Sequence, residues 1–314
     1  MPEKAPENAN KPTEKRSQAS FQYSSEKLVR EYFESLMVET RAIDAVEAST
    51  KMELFGETFS MPIMIAPMGQ NALEKVYPNG VVELAKSGKA AGTPMWTGIC
   101  EEEKLREAIN TGAKVIKIIK PYKDTDLIFK KLEQCEKNGA LAVGMDIDFI
   151  FGIQSNPGMA QTYPVSPQTL DQIKSYIKAT KLPFIVKGVL SERDALKSLE
   201  AGAAGIVVSH HGGKSVESAV PPLKILPRIV ELAENKIPIF ADCGMTKGID
   251  VFKALALGAK GVCLGQSVLA GLASGGADGV QKVLENINEE LRRVMSFTGS
   301  IDLNHIDPDV IWGK

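Results

Sequence analysis

The stretch Gly202-Ala-Ala-Gly-Ile-Val-Val-Ser-His-His-Gly-Gly213 runs from the end of a helix through an apolar strand into a polar turn. Glycine commonly ends helices, and Gly202 is followed closely by the apolar run Gly205–Ser209. A run without polar alternation is typical of a strand buried on both faces, as in parallel sheets. The stretch therefore predicts one unit of a parallel α/β fold, with chemically active residues directly after its strand.

The same unit recurs along the chain. Asn138-Gly-Ala140 and Leu257-Gly-Ala259 also place Gly-Ala between a helix-like segment and an apolar run. Eight candidate strands follow: Ile63–Ala66, Pro94–Thr97, Val115–Ile119, Ala142–Asp146, Phe184–Lys187, Gly205–Ser209, Ile237–Ala241 and Gly261–Leu264. Helix-like segments lie between them at Val81–Ala91, Glu102–Asn110, Asp126–Asn138, Pro167–Ala179, Glu192–Ala201, Leu223–Ala233 and Gly248–Leu257.

Strict alternation of strands and helices implies parallel pairing, and eight units predict a closed (β/α)8 TIM barrel of the α/β class. An open doubly wound sheet is the competing arrangement. One barrel uses about 250 residues, so a single domain over residues 23–314 accounts for most of the chain of 314. Residues 1–22 are rich in charge, Pro and Asn and are expected to form a mobile tail.

The composition narrows the functional classes. The chain is 44% hydrophobic and 24% charged with a net charge of −2, which argues against nucleic acid as a partner because that needs a basic face. No apolar run of about 18 residues and no signal peptide is found, so no membrane partner is expected. The four cysteines are widely spaced and lack metal-binding pairs. We expect a cytoplasmic protein with reduced thiols.

Polar or glycine-rich groups follow the predicted strands, and barrel enzymes carry their active sites at these carboxyl ends. The groups are Ala66-Pro67-Met68, Thr97-Gly98, Lys120, Asp146 with Asp148, Lys187, Ser209 to Lys214, Asp242-Cys243-Gly244 and Gly265-Gln266. Because the carboxyl ends meet on one rim, we expect these residues to form a single site.

Two adjacent histidines, His210 and His211, stand in the turn after the sixth strand. An imidazole titrates near neutral pH and suits proton transfer, and the following glycines allow close approach to a ligand. The pair could also bind a metal together with Asp146 and Asp148. Neighbouring residues of an extended segment face opposite ways, so the pair is a poor clamp and no metal is predicted.

Four segments match one family in the right order: Met61-Pro-Ile-Met-Ile-Ala-Pro67, Ile185-Val-Lys-Gly-Val189, Gly202 to Gly213, and Asp250-Val-Phe-Lys-Ala-Leu-Ala-Leu-Gly-Ala259. Between Phe55 and Ile311 the chain resembles the FMN-dependent α-hydroxy-acid oxidases and dehydrogenases, which include glycolate oxidase and lactate oxidase. The resemblance implies FMN as cofactor and oxidation of a small, lactate- or glycolate-like 2-hydroxy acid to the 2-oxo acid. It also implies oxygen or another electron acceptor, and a homotetramer.

The resemblance assigns catalytic roles to three residues. It makes His211 the base that takes a proton from the substrate and Asp148 the group that orients the imidazole. It places Lys187 beside flavin N1 and O2, where a fixed positive charge stabilises the reduced ring. The cofactor-binding positions that it implies are Ala66, Pro67, Met68, Thr97, Gly98, Lys187, Ser209, Asp242, Gly244, Lys247, Gly265 and Gln266.

Several positions depart from the family pattern. Lys214 stands where an arginine binds the substrate carboxylate, and a second arginine has no counterpart in Phe149–Tyr163. Lys120 replaces a tyrosine and Asp146 a threonine, while Gln266 replaces an arginine at the phosphate end. The implied substrate-binding set is therefore Lys214, His211, Lys120 and Asp146. These changes predict a divergent member of the family.

Other functions stay open at this point. The changed carboxylate contacts leave room for a non-catalytic FMN-binding barrel. An isopentenyl diphosphate isomerase-like enzyme shares the FMN barrel without net oxidation. A nucleotide dehydrogenase-like enzyme would need a nucleophilic cysteine where Ser209-His-His-Gly-Gly213 stands.

Overall fold

A closed barrel of eight parallel strands forms the centre of the protein. The computed structural model describes residues 13–43, 45–150, 164–216 and 218–314. Its strands are β1 (Met37–Val38), β2 (Met52–Leu54), β3 (Glu57–Phe59), β4 (Ile63–Met68), β5 (Met95–Thr97), β6 (Val115–Ile119), β7 (Ala142–Asp146), β8 (Phe184–Val189), β9 (Gly205–Val208), β10 (Ile239–Ala241), β11 (Gly261–Leu264) and β12 (Ile311–Trp312). The barrel consists of β4 to β11, paired in chain order and closed by β11 against β4.

Helices surround this barrel. They are α1 (Thr13–Ser35), α2 (Gln70–Glu74), α3 (Gly80–Ala91), α4 (Glu102–Asn110), α5 (Thr125–Asn138), α6 (Leu170–Lys178), α7 (Glu192–Ala201), α8 (Pro222–Ala233), α9 (Gly248–Ala256) and α10 (Gln266–Phe297). The glycines of the three Gly-Ala phrases have positive φ: 78° at Gly139, 85° at Gly202 and 100° at Gly258. This left-handed conformation suits glycine and ends each helix just before its strand.

Alternate residues of the barrel strands pack into two apolar layers. One layer fills the barrel interior and includes Trp96, Ile116 and Phe240, with the Trp96 and Phe240 rings edge to face at 5.5 Å. The other layer lies between the strands and the helices. The hairpin of β2 and β3 adds Met52 and Phe59 to the interior layer, near the amino end of β11. The interior is therefore a packed core, and the chemistry is confined to the rim.

The predicted (β/α)8 barrel is confirmed. The observed bounds of the eight strands differ from the predicted ones by at most two residues, and the seven predicted helices correspond to α3 through α9. Residues 1–12 of the expected tail lie outside the described residues, and residues 13–22 belong to α1, so this helix begins before the expected boundary. The long α10 and the pairing of β1 with β12 were not predicted.

Helix α1 packs on the loops that follow β9 and β10. A Cβ placed on Gly213 would lie 2.2 Å from Ser25 Cβ, and one on Gly244 would lie 2.3 Å from Val29 Cγ1. Further along α1, Arg30 donates two hydrogen bonds to Asp250, at 2.9 and 3.2 Å. The helix thus holds the rim loops in place through close packing and one bidentate ion pair.

None of the helices in the described part of the chain combines the length and the apolar character needed to cross a membrane.

Candidate active site

Four buried charged side chains meet at the carboxyl ends of the barrel strands, and we call them the mouth cluster: Lys120, Asp146, Lys187 and Asp242. Lys187 Nζ lies 3.0 Å from Asp146 Oδ1 and 3.3 Å from Asp242 Oδ2. Lys120 Nζ lies 2.5 Å from Asp146 Oδ2. Each of these four residues lies at or close to the carboxyl end of a different strand, so residues distant in sequence form one charge network.

Charge pairing dominates the electrostatics of this cluster. Burial alone would raise the pKa of Asp146, but the ammonium groups of Lys120 and Lys187 outweigh it and hold that pKa far below its ordinary value. Burial opposes the charge of Lys187, yet Asp146 and Asp242 together raise its pKa well above the usual value. For Lys120, burial prevails over Asp146 and lowers the pKa. Lys187 is therefore the firmly charged cation of the site.

His211 lies beside this cluster in a turn with an unusual backbone. Its φ is 53°, a left-handed value that is strained for a residue with a side chain, and its N–H donates to Ser209 Oγ at 3.1 Å. His211 Nδ1 lies 3.4 Å from Asp148 Oδ1 and 3.8 Å from Asp146 Oδ1. The Phe149 ring packs against the imidazole at 5.7 Å. The turn thus presents Nδ1 of the ring to two carboxylates.

Asp148 is held against the strand beside it by a close approach that requires glycine. Gly188, in β8, has φ of 92°, and a Cβ there would lie 2.4 Å from Asp148 Cγ and Oδ1. Any larger residue would push the carboxylate away. Gly188 therefore fixes the position of the group nearest to His211.

The two adjacent histidines diverge. His210 is 6% exposed, its Nδ1 accepts a hydrogen bond from Gly213 N at 3.0 Å, and burial lowers its pKa. It therefore supports the turn while His211 faces the rim. One ligand atom each from Asp146, Asp148 and His211 lies within 4.8 Å of the others, but two lysines already neutralise Asp146. This arrangement disfavours a metal clamp built on both histidines.

The structure brings the other predicted cofactor residues to the same rim. Ala66, Pro67 and Met68 end β4, and Gly98 N donates to Met68 O at 2.9 Å, which joins the ends of β4 and β5. Thr97 is fully buried at the end of β5. Lys187 Nζ donates to Ser209 Oγ at 3.4 Å across the ends of β8 and β9.

At the other side of the rim, Lys247 and Gly265 are the N-caps of α9 and α10. Gln266 Nε2 donates to Glu26 Oε1 at 3.3 Å. Lys214 is exposed in the loop after β9. Residues 151–163, most of the segment searched for a second carboxylate-binding arginine, lie outside the described residues.

The residues at this rim fit an FMN molecule. A Cβ on Gly265 would meet only Ala66 Cβ, at 3.9 Å, and the first turn of α10 has no side-chain cap. An open, uncapped helix start can hold a phosphate through its backbone N–H groups. The buried ammonium of Lys187 supplies positive charge, and Asp148 Oδ2 and His210 Nε2 are buried without hydrogen-bond partners among the described residues. The site therefore offers charge, donors and unused polar atoms.

A family model described as FMN-dependent dehydrogenase matches residues 16–170 and 153–313. The chain belongs to this family. The protein therefore uses FMN as its cofactor, and it is an oxidoreductase that acts on hydroxy acids.

Its relatives include a peroxisomal (S)-2-hydroxyacid oxidase of Arabidopsis thaliana, 30% identical over 306 residues that cover 84% of this chain and 82% of the relative. The glycolate oxidase of Spinacia oleracea is 30% identical over 300 residues, covering 84% of this chain and 80% of that enzyme.

Solved structures of mandelate oxidase share the fold. The complex with (S)-2-phenylpropionate has a TM-score of 0.83 at 28% identity and covers 92% of this chain and 89% of that one. A variant holding a monooxide FMN adduct has a TM-score of 0.81 at 27% identity, covering 92% and 91%. These matches agree with FMN as the cofactor of this FMN-dependent dehydrogenase.

Two contributors to the site, Phe149 and helix α1, were not predicted from the sequence, and a third, Cys243, was placed at the rim without its contacts. Phe149 packs against His211 and lies 3.9 Å under Lys120 Nζ. Cys243 donates to Asp242 at 2.8 Å and accepts from Gly212 N at 3.3 Å. Helix α1 closes over the loops. Phe149 could have been found from its place next to Asp148, whereas the helix carries no motif that points to the rim.

Proposed function

We propose that the protein oxidises a small 2-hydroxy acid, of lactate or glycolate size, to the corresponding 2-oxo acid. FMN, when bound, accepts the two electrons and one of the two protons that leave the substrate. The observation that carries the proposal is the placement of His211 between the mouth cluster and Asp148, with one imidazole nitrogen directed at a carboxylate.

His211 takes the other proton of the substrate in this proposal. With Nδ1 facing Asp148 at 3.4 Å, Nε2 is the nitrogen available to accept that proton. The carboxylate then stabilises the imidazolium that forms, because an opposite charge within a few ångströms favours the charged ring. The strained backbone of His211 is supported by the hydrogen bonds of Ser209, Gly212 and Gly213, so the base is held in one place before substrate arrives.

Lys187 supplies the electrostatic part of the reaction. It is 3% exposed, so its charge acts through protein rather than through water and is worth more than a surface lysine. Two carboxylates hold it charged and fix its direction. Negative charge that develops next to it during the reaction is therefore stabilised without rearrangement.

Two lysines are the proposed partners of the substrate carboxylate. Lys214 is exposed in the loop after β9, which also contains His211, and can approach a substrate from the solvent side. Lys120 lies deeper, between Asp146 and the Phe149 ring. A lysine offers a point charge rather than the planar fork of arginine, so carboxylate binding here is less directional.

The test is anaerobic reduction of the purified flavoprotein by a panel of 2-hydroxy acids, followed through the visible flavin absorbance. His211→Ala should retain FMN and lose about 100-fold to 10,000-fold in the reduction rate, the usual contribution of a general base. His305→Ala is the matched control, because that histidine is 68% exposed and pairs only with Asp302 among the described residues. It should reduce at the wild-type rate.

Lys214→Ala separates binding from chemistry in the same assay. It should raise the hydroxy-acid concentration needed for half-maximal reduction while the maximal rate changes little. Undiminished reduction in His211→Ala would rule out this residue as the base. Bound FMN that no hydroxy acid reduces in the wild-type protein would favour the non-catalytic barrel.

A further inference from the structure

A lysine and a cysteine contact each other behind the barrel wall, away from the mouth cluster. Lys117 lies in the middle of β6 and shares its outward face with Val115 and Ile119, since strand residues alternate between faces. Its Nζ lies 2.9 Å from Cys100 Sγ and also donates to the carbonyl oxygen of Gly98. Lys117 is 3% exposed and Cys100 is 6% exposed. The pair is enclosed by the apolar layer between strands and helices.

Lys117 is costly to bury at this position. Among the described residues it forms no ion pair with a carboxylate, in contrast to Lys120 and Lys187. Removing an ammonium group from water is strongly unfavourable unless a counter-charge and hydrogen bonds compensate. Within the part of the chain that the structure describes, its Nζ donates hydrogen bonds to the Gly98 carbonyl and the Cys100 sulfur alone. An apolar residue like its neighbours would pack at lower cost, so the lysine calls for a chemical explanation.

We propose that Cys100 and Lys117 form a redox modification site, in which dioxygen links the two side chains through a covalent N–O–S bridge. An N–H bond of the neutral amine, the S–H bond and the O–O bond break. One oxygen atom becomes the bridge between Nζ and Sγ, and the other leaves as water with the two hydrogens. Nitrogen and sulfur together give up four electrons, which is the number that reduces one dioxygen completely.

The distance decides between the possible links. At 2.9 Å the two heavy atoms have room for a single bridging atom, whereas a direct N–S bond would require them to move much closer. Dioxygen is small and apolar and can enter a closed apolar layer. The other thiol of this layer, Cys135 on α5, is 1% exposed, and burial raises its pKa to about 12. It is therefore held in the unreactive thiol form.

The bridge would have a local structural effect. It would tie the segment after β5, which contains Gly98 and Cys100, to the middle of β6. The inference stands on the Cys100–Lys117 contact and does not depend on the proposed function.

The experiment uses full-length protein prepared in parallel in air-saturated buffer and anaerobically with a thiol reductant. Intact mass spectrometry of the aerobic sample should show a gain of one oxygen atom less two hydrogen atoms. Digestion should give one cross-linked species that contains Cys100 and Lys117, with no tryptic cleavage at Lys117. A reductant added afterwards should restore the original mass. Cys135→Ser should behave like the wild type, as should Cys263→Ser.

Cys100→Ser and Lys117→Gln should each abolish the mass shift, and circular dichroism checks that both variants are folded. If Lys117→Gln does not fold, the conservative Cys100→Ser variant and the peptide map still decide. Loss of two hydrogens alone would indicate a disulfide or a direct N–S bond and would overturn the proposal. Gain of oxygen without a cross-link, or no change after air exposure, would overturn it equally.

Discussion

Two sets of paired charges in this protein have the same net charge but very different surroundings. The mouth cluster combines two lysines with two aspartates, and its side chains are almost fully buried. The pair of Arg30 and Asp250, which we call the helix clamp, joins α1 to the start of α9, and its guanidinium is 38% exposed. Both sets are formally neutral.

The two sets differ in how completely their oxygen atoms are used. In the clamp, Asp250 accepts from Arg30, from the N–H groups of Thr246 and Lys247, and from the Thr246 hydroxyl. In the mouth cluster, Asp146 Oδ1 has no properly directed hydrogen bond among the described residues, although Lys187 Nζ lies 3.0 Å away as an ion-pair partner. A carboxylate whose oxygen atoms all accept hydrogen bonds fastens one element to another. A buried carboxylate with an oxygen that accepts none keeps the capacity to bind a ligand.

The largest expected effect comes from removing the central cation of the mouth cluster. Lys187→Met leaves the Asp242 carboxylate buried without its ammonium partner and should destabilise the protein by about 3–5 kcal/mol, the usual result of breaking a buried pair. Unfolding in denaturant at pH 7 measures this loss. Without the lysine, burial raises the pKa of Asp242 in the folded variant above its value in the unfolded chain. The destabilisation is therefore present at pH values above the unfolded pKa, and it should shrink as the pH falls and the carboxyl becomes protonated.

Lys214→Met is the matched control for this change, because the side chain is exposed in the loop after β9. It should alter the free energy of unfolding by less than about 0.5 kcal/mol. A loss in Lys187→Met that is equal at pH 7 and at low pH would show that packing, and not the uncompensated carboxylate, is responsible.

The next effect falls on the reaction rate. Gly188→Ala puts a Cβ 2.4 Å from Asp148 Cγ, so the carboxylate must move away from His211. Flavin reduction should slow by about 100-fold, or about 2.7 kcal/mol in activation free energy, because a displacement of about 1 Å has effects of this size. Stopped-flow absorbance of the flavin measures the rate, with FMN content determined on the same sample.

Gly139→Ala tests whether backbone strain alone explains that loss. Its φ of 78° is comparable, but nothing lies within 4 Å of a Cβ there. It should cost about 1 kcal/mol of stability and leave the rate unchanged. If flavin reduction were as fast in Gly188→Ala as in Gly139→Ala, the contact with Asp148 would have no role in catalysis.

The smallest effect is expected at the helix clamp. The Asp250 pKa is lowered because Arg30 and backbone N–H groups outweigh burial. A lowered folded pKa gives stability that is present above the unfolded value and is lost as pH falls. Asp250→Asn should therefore cost about 1–2 kcal/mol at pH 7, allowing for solvent around the guanidinium, and less at pH 3.

Thermal unfolding at both pH values measures the effect of the clamp. Glu34 is the other carboxylate near Arg30, and its side chain is 69% exposed. Glu34→Gln should therefore change the unfolding temperature little. A difference between wild type and Asp250→Asn that stays constant with pH would contradict the ionic role of the clamp.

Much of the rim could be predicted from sequence because strand ends are marked in the chain. A lysine after Phe184-Ile-Val, or histidines after an apolar run, can be placed on one rim once the barrel order is known. The pairing of Lys120 with Asp146 could not be predicted in the same way. It depends on which rotamers bring two neighbouring strand ends within hydrogen-bond distance, and no periodicity encodes this.

The sequence by itself determined the barrel and the set of residues at its rim. Eight unbroken apolar runs alternate with helix-like segments along the chain, several of which end in glycine, and local backbone preferences and burial suffice to interpret them. Only the tertiary structure decided that Gly188 holds Asp148 in place through a close approach, that Lys117 contacts Cys100, and that α1 covers the rim loops. These are contacts between residues far apart in sequence, and their distances are set by how all the elements pack together.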